Sequence, residues 1–296
     1  MDISAALQNA LSGIQAAQSN ISLISSNISN AQTPGYSRET ETLTPKLENG
    51  AGAGVAVSIP QRQINQGLNT TARVQDTATS AASTAETYFQ QIQNLFGQVN
   101  DGSSLSNTFS TFTGALQTLS TTPDDQVSQQ SAVSTAQAVA QQLNSMSSGV
   151  QNIRATADGE IATDISTVNQ ALQQIATYNT AITHAKATGQ ATAALEDQRD
   201  QALDTVSKLM GVSAFVRGND TMVVFTSTGQ TLVDSTAAQL SYTQSGAVTA
   251  QTPMSKVTLN GADITSDITT GSIGTLLNLR DTQLPNLTAE LNQFAT

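Results

Sequence analysis

The chain has no cysteine, no tryptophan, a single histidine and few charges, with Asp, Glu, Lys and Arg together making up 11% of its 296 residues. Each shortage removes a class of function. Without cysteine there is no disulfide framework, no thiolate nucleophile and no cysteine-based zinc site. A Ser–His–Asp triad or a histidine metal site would have to use His184, which sits in Thr183-His184-Ala185-Lys186 near a helix end. A solvated or end-capping role suits it better than catalysis. Only 11 Lys plus Arg stand against 22 Asp plus Glu, a net charge of -11. That leaves no basic face for nucleic-acid phosphates and none for an anionic membrane surface. No apolar run reaches the length of a membrane span. Met1-Asp2-Ile3-Ser4 is not a basic leader, and the apolar residues behind it are too dispersed for the core of a cleavable signal peptide. No cofactor and no metal are expected.

Ala, Ser, Thr, Gln and Asn fill the space left by charge. Burying small neutral groups costs far less than burying charges, so such a surface suits coverage by identical neighbours. The first 30 residues sharpen this reading. Ile3, Leu7, Ala10, Ile14, Ala17, Ile21, Ile24 and Ile28 recur at steps of 4 and 3, an unbroken heptad stripe. The spacing predicts a coiled-coil-forming helix over 1–33, with Ile3, Leu7, Ile14, Ile21, Ile24 and Ile28 as its assembly interface. Thr33-Pro34-Gly35 ends it.

Residues 34–66 read as an extended linker. Thr40, Thr42 and Thr44 alternate with other residues before Pro45, Gly50 to Gly54 forms a flexible turn, and Val55 to Ile59 is a strand closed by Pro60. Over 67–296 the helical period returns. One run goes from Val74 to Val99 and ends near Asp101-Gly102; a shorter one goes from Leu105 to Leu119. Thr122-Pro123-Asp124-Asp125 is a helix start with Thr122 as N-cap. The stripe from Ala132 to Ala157 stops at Asp158-Gly159, and another runs from Ile161 to Ile182. Leu195 to Leu209 is a further helix. Period two then appears in Val212–Val216 and Met222–Phe225 around Gly218-Asn219-Asp220, a hairpin signal, with short strands at 231–233, 239–242 and 257–259. Gly274 to Phe294 is a helix interrupted by Pro285. The fold class is mainly α: an elongated antiparallel helical bundle with an N-terminal heptad helix and a small inserted β element near 212–260. No Gly cap or basic turn precedes Thr296, which reads as a chain cut inside a helix.

Candidates for chemistry are weak. Glu196-Asp197-Gln198-Arg199-Asp200 could pair carboxylates for acid–base work. An arginine among acids at a helix start reads instead as a structural ion-pair network. The Gly50–Gly54 repeat precedes a strand rather than following one, against a dinucleotide fingerprint. Asp101-Gly102 and Asp158-Gly159 lack the further acids of a calcium loop.

Ser25-Ser26-Asn27-Ile28-Ser29-Asn30-Ala31-Gln32-Thr33-Pro34-Gly35-Tyr36-Ser37-Arg38 resembles the N-terminal signature of flagellar axial proteins, with Ser26 where Asn is commonest. Gly54 to Arg62 resembles their second block. Leu195-Glu196-Asp197-Gln198-Arg199-Asp200-Gln201-Ala202-Leu203 and Gly271 to Asp281 resemble two blocks of the flagellar hook-associated protein 1 family. The motif residues are thus Asn27, Asn30, Pro34, Gly35, Tyr36, Arg38, Asp197, Arg199 and Asp200. The resemblance implies a structural, non-enzymatic adaptor ring at the hook tip, exported uncleaved through the flagellar type III apparatus to the extracellular flagellum. Its implied partners are further copies of itself, hook protein, the second hook–filament junction protein and an export chaperone. It also implies that the C-terminal helix and outer β domain of the family are missing here. The other readings are a rod or hook subunit, or a type III-secreted coiled-coil protein.

Overall fold

A computed structural model describes residues 3–48, 51–97, 102 and 104–295. The fold is mainly α, with seven α-helices and four small antiparallel sheets among these residues. The chain divides into two compact units: 1–75 with 168–207 and 212–239, and 76–167 with 208–211 and 240–296.

In the first unit, helix α1 (Ile3–Ser29) leads into a stem made by β1 (Glu39–Thr40) and β4 (Gln61–Arg62). A two-stranded ribbon, β2 (Leu43–Glu48) with β3 (Ala51–Val57), rises from the stem. The expected turn at Gly50–Gly54 is corrected: Ala51 to Gly54 belong to β3, where small residues leave room for α1, while Gly50 lies outside the described residues. Pro45 does not end its strand. It pairs with Val55 beside a bulge, and a proline without a donor is tolerated because β2 is an edge strand.

α2 (Gln66–Phe96) follows; Val99 and Asp101, placed at its end by the periodicity, lie outside the described residues. α3 (Leu105–Thr121) starts on Ser104, whose side chain accepts from Asn107 N. α4 (Gln126–Ala187) is one helix of 62 residues, about 90 Å at 1.5 Å per residue. Two sequence expectations are corrected here. Its N-terminal cap is Asp125, not Thr122: the Asp125 carboxylate accepts from Ser128 N at 2.9 Å and Ser128 Oγ at 2.7 Å. It also runs straight through Asp158-Gly159. The buried stripe Ile153, Ala157, Ile161, Ile165 steps by fours, a stutter that shifts the heptad without breaking the helix. Glycine within α4 costs about 1 kcal/mol relative to alanine. At Gly149 and Gly159 it permits close approach, since a Cβ would meet Leu95 Cδ2 at 2.4 Å and Gln244 Nε2 at 2.9 Å.

α5 (Ala193–Leu209), up to Ser207, and the sheet β5 (Val212–Val216), β6 (Met222–Thr226), β7 (Thr231–Val233) complete the first unit. Its core is Val168, Leu172, Ile175 and Ile182 of α4, Leu203 and Val206 of α5, and Met222–Val224 of β6. In the second unit, β8 (Leu240–Ser241), β9 (Thr258–Leu259) and β10 (Ala262–Asp263) precede α6 (Gly271–Asn278), a π turn over Leu279–Gln283, and α7 (Leu284–Phe294). Pro285 sits in the first turn of α7, just after the π turn that carries the helical backbone on from α6. Tyr88 of α2 donates to Glu160 Oε2 at 2.7 Å, and Leu95 lies by Gly149. Ser272 donates to Asp164 Oδ2 at 2.6 Å, and Gln151 donates to Thr288 Oγ1 at 3.2 Å. Partner numbers rise as α4 numbers fall, so α2 and the α6–α7 segment both run antiparallel to α4.

Candidate assembly interface and its anchor

α1 is amphipathic in the opposite sense to an ordinary surface helix. Ile3, Leu7, Ile14, Ile21, Ile24 and Ile28 are all between 51% and 86% exposed, and Ala10 and Ala17 between them are exposed as well. The face toward the ribbon and stem is mostly small and polar, with Asn9, Ser12, Gly13, Ala16, Ser19, Asn20 and Asn27 joined by the half-buried Leu23. Only Ala16 is buried. This face works by hydrogen bonding. Asn9 Nδ2 donates to Gly52 O at 3.2 Å, and Val55 N donates to Ser12 Oγ at 3.1 Å. Both ribbon groups lie on the strand β3 that α1 covers, so α1 satisfies backbone that would otherwise be an open edge. Gly54 makes the approach possible, because a Cβ there would stand 2.2 Å from Ser12 Oγ. Ser19 Oγ donates to Glu41 Oε2 at 2.8 Å.

The motif that follows α1 locks the helix to the stem. Asn27 Nδ2 donates to Glu39 O at 2.9 Å, while its Oδ1 accepts from Glu39 N at 2.9 Å and from Tyr36 OH at 2.9 Å. All of its strong amide contacts go to residues 36–39. Asn30 donates to Ser26 O at 3.0 Å, and its own carbonyl accepts from Thr33 N at 2.9 Å, which tightens the turn. Gly35 has φ +79°, a left-handed conformation suited to glycine, and a Cβ there would lie 2.2 Å from Gln201 Nε2. Gln201 donates to Pro34 O at 3.3 Å. Arg38 points its side chain to solvent; its carbonyl accepts from Gln63 N at 2.8 Å.

The stem is clamped to α5. Arg62 Nε donates to Glu196 Oε2 at 2.9 Å, and Arg62 Nη1 donates to Asp197 Oδ1 at 2.7 Å and Asp200 Oδ2 at 2.8 Å. Its side chain is 5% exposed. Burial alone would lower the guanidinium pKa, and the hydrogen bonds to Asp197 and Asp200 with the charges of Asp200 and Glu196 raise it above the ordinary value. Arg73 extends the ladder, to Asp204 at 2.5 Å and Asp200 at 3.5 Å. Glu39 is pushed up, first by burial and then by the charge of Asp197. The cluster is an ion-pair network, but Arg199 is not its cation. Arg199 turns away: Nη1 donates to Asn179 Oδ1 at 3.0 Å and to Asp220 O at 2.6 Å. Asn179 in turn donates to Met222 O and accepts from Met222 N, both at 2.8 Å, which holds the hairpin on α4. Burial lowers the Arg199 pKa.

Sequence reasoning missed a second buried network, in the other unit. Arg280 is 1% exposed and donates to Asp158 Oδ1 at 3.2 Å, to Tyr242 OH, and bidentately to Asp281 at 2.8 and 2.7 Å. Asp158 also accepts from Tyr242 OH and from Ser245 N at 2.7 Å. Arg154 donates to Arg280 O at 2.9 Å and Thr249 O at 3.0 Å. Burial, then the bond to Asp158, raises the Tyr242 pKa well above that of a free phenol. The available signal was the rarity of charge: Asp158 on an apolar stripe needs a cation.

His184 is exposed and borders a cavity lined by Gln173, Thr177, Thr180, Gln190, Leu195 and Ser235 among others, with no carboxylate in its wall. Among the described residues no group of His, Asp and Glu is placed to hold a metal ion, and no helix is long and apolar enough to cross a membrane.

The family model described as the flagellar hook-associated protein FlgK helical domain matches residues 89–296, and that of the flagella basal body rod protein matches residues 7–36. Flagellar hook-associated protein 1 of Salmonella typhimurium is 29% identical over 304 residues, covering 99% of this chain and 55% of the relative. The Escherichia coli protein of the same name is 27% identical, with the same coverage. The solved flagellar hook junction protein FlgK from Burkholderia pseudomallei superimposes with a TM-score of 0.64 at 27% identity, covering 78% of this chain and 42% of that one. The chain spans about half the length of the curated relatives it matches. With the helical-domain model matching well over half its residues, the chain belongs to the flagellar hook-associated protein FlgK family.

Proposed function

We propose that this chain serves as a structural subunit of the bacterial flagellum, in an adaptor ring that joins hook to filament. The observation that carries the reading is the inverted helix α1: its polar face is used within the chain, and its isoleucine stripe faces outward. A stripe of that length left in water favours a neighbour with a matching seam. In this reading Ile3, Leu7, Ile14, Ile21, Ile24 and Ile28 meet helices of neighbouring subunits, and the motif from Asn27 to Arg38 sets the direction in which α1 leaves the body. The partners are other copies, hook protein on one side and the second junction protein on the other, with a chaperone during export. The protein works outside the cell.

The rod-protein match over residues 7–36 covers only α1 and its turn, so it does not favour a rod subunit. Electron microscopy of a deletion strain tests the proposal. Hooks without filaments, restored by the intact gene, are expected; filaments of normal number on the deletion strain would refute it.

A further inference from the structure

Among its described residues, the arm formed by 3–63 shows no buried apolar joint with the helical body. Among the described residues between Ile3 and Gln75 the only buried apolar one is Ala16, which lies on the face of α1 toward the ribbon. Among the described residues, the hydrogen bonds and ion pairs that tie the arm to the body all fall on one stretch of α5, Glu196 to Gln201. The contacts are not equivalent. The stem has two strands, and Asp197 holds both: its Oδ2 accepts from Ser37 N at 2.9 Å, just before β1, and its Oδ1 accepts from Arg62 Nη1 at 2.7 Å, on β4. Glu39 and Arg62 are direct cross-strand partners, so a single carboxylate grips the stem where its two strands pair.

We infer that Asp197 is a positioning residue, a pin that sets the angle at which the arm, and with it the isoleucine stripe, is presented to neighbouring subunits. The pin is polar by necessity. An apolar joint would need buried surface that this stem of two-residue strands lacks, whereas a carboxylate with two donors fixes direction through bond geometry. A buried carboxylate is stable here because Arg62 neutralises it, and Arg62 in turn is held by Glu196 and Asp200. Asparagine could not replace it fully, since Ser37 N and Arg62 Nη1 meet different oxygens of the carboxylate, and an amide would turn an NH2 donor toward one of them. The pin itself belongs to the single chain; its use in assembly rests on the function proposed above.

The absence of cysteine makes the test direct. Spin labels at Gln18→Cys on α1 and Thr205→Cys on α5, both exposed positions, report the arm's direction by pulsed electron–electron resonance in the isolated chain. One narrow distance distribution is expected for the parent. Asp197→Ala should broaden it at least twofold with helical content unchanged, and Asp197→Asn should fall between. If Asp197→Ala unfolds the body, Arg62→Gln takes its place with the same expected broadening. An unchanged width in the folded variant would overturn the inference. Because this readout needs no assembled ring, it can fail independently of the junction role.

Discussion

Replacing Asp158 by alanine removes the acceptor around which the second unit's polar core is organised. Three donors lose an acceptor: Tyr242 OH, Ser245 N and Arg280 Nη1, the last of which keeps its bond to Tyr242 OH. Both Asp158 and Arg280 have side chains 1% exposed, so water does not replace the lost carboxylate without opening the structure. Breaking a buried pair by removing one partner costs about 3–5 kcal/mol. Arg280 keeps its bidentate contact with Asp281, which is 37% exposed, and this places the effect near the lower end. Alanine recovers up to about 0.7 kcal/mol of helix propensity within α4. A net loss of about 3 kcal/mol is therefore expected from urea unfolding followed by far-ultraviolet circular dichroism. Asp281→Ala, on the exposed side of the same cation, should cost about 1 kcal/mol. Hydrogen exchange should show the loss of protection centred on residues 242–249. A change within about 0.5 kcal/mol of the parent, the range of ordinary surface substitutions, would refute the assignment of Asp158 as a core partner.

Asn27→Ala should cost about 2–3 kcal/mol, because Glu39 N–H, Glu39 C=O and Tyr36 OH lose their common partner; thermal melting with hydrogen exchange over 36–40 checks it. Gly35→Ala should cost about 1–3 kcal/mol from its positive φ, and adding Gln201→Ala should relieve only the steric part. Glu39 has a folded pKa raised above its ordinary 4.5, by burial first and Asp197 second, so its ionised form opposes folding. Stability from this group is present at low pH and is lost as pH rises through the folded pKa. Glu39→Gln should accordingly stabilise the chain at pH 7 and have a smaller effect at pH 4, measured by urea midpoints at the two values.

The features most legible in the sequence were those with a strict period. The stripe of α1, the helical runs of α2 to α5 and the hairpin around Gly218-Asn219-Asp220 all follow from spacing and turn chemistry, and the mainly α class follows from them. What spacing could not show was which way a face points. The stripe of α1 would look the same if it packed on its own ribbon; the outward orientation depends on Asn9, Ser12 and Gly54, whose polar and steric fit is tertiary. Asp158-Gly159 looked like a helix end because both residues are poor helix formers. Burial against Arg280, 122 positions away, outweighs that local preference. The cluster at 196–200 was legible as ion pairs, but its cation was not. Arg199, the neighbour in sequence, points to Asn179, and the clamp is Arg62 from the distant stem.

The central claim, that the stripe of α1 is an intersubunit seam and not part of the chain's own core, is tested most directly by Ile21→Asp in the full-length protein. Ile21 is 68% exposed, so the isolated chain should lose no more than about 0.5 kcal/mol. Against a partner helix the same change forfeits about 2 kcal/mol of apolar burial. It also places a carboxylate where none is paired, which adds a further cost of several kcal/mol at each contact in a ring. Gln18→Asp, exposed but off the stripe, is the matched control. The measurement is thermal melting of the purified variants together with filament counts in complemented deletion cells. The account predicts parental melting for both, filaments with Gln18→Asp, and none with Ile21→Asp. Filaments at parental number on cells carrying Ile21→Asp, or a melting point lowered by many degrees, would contradict it.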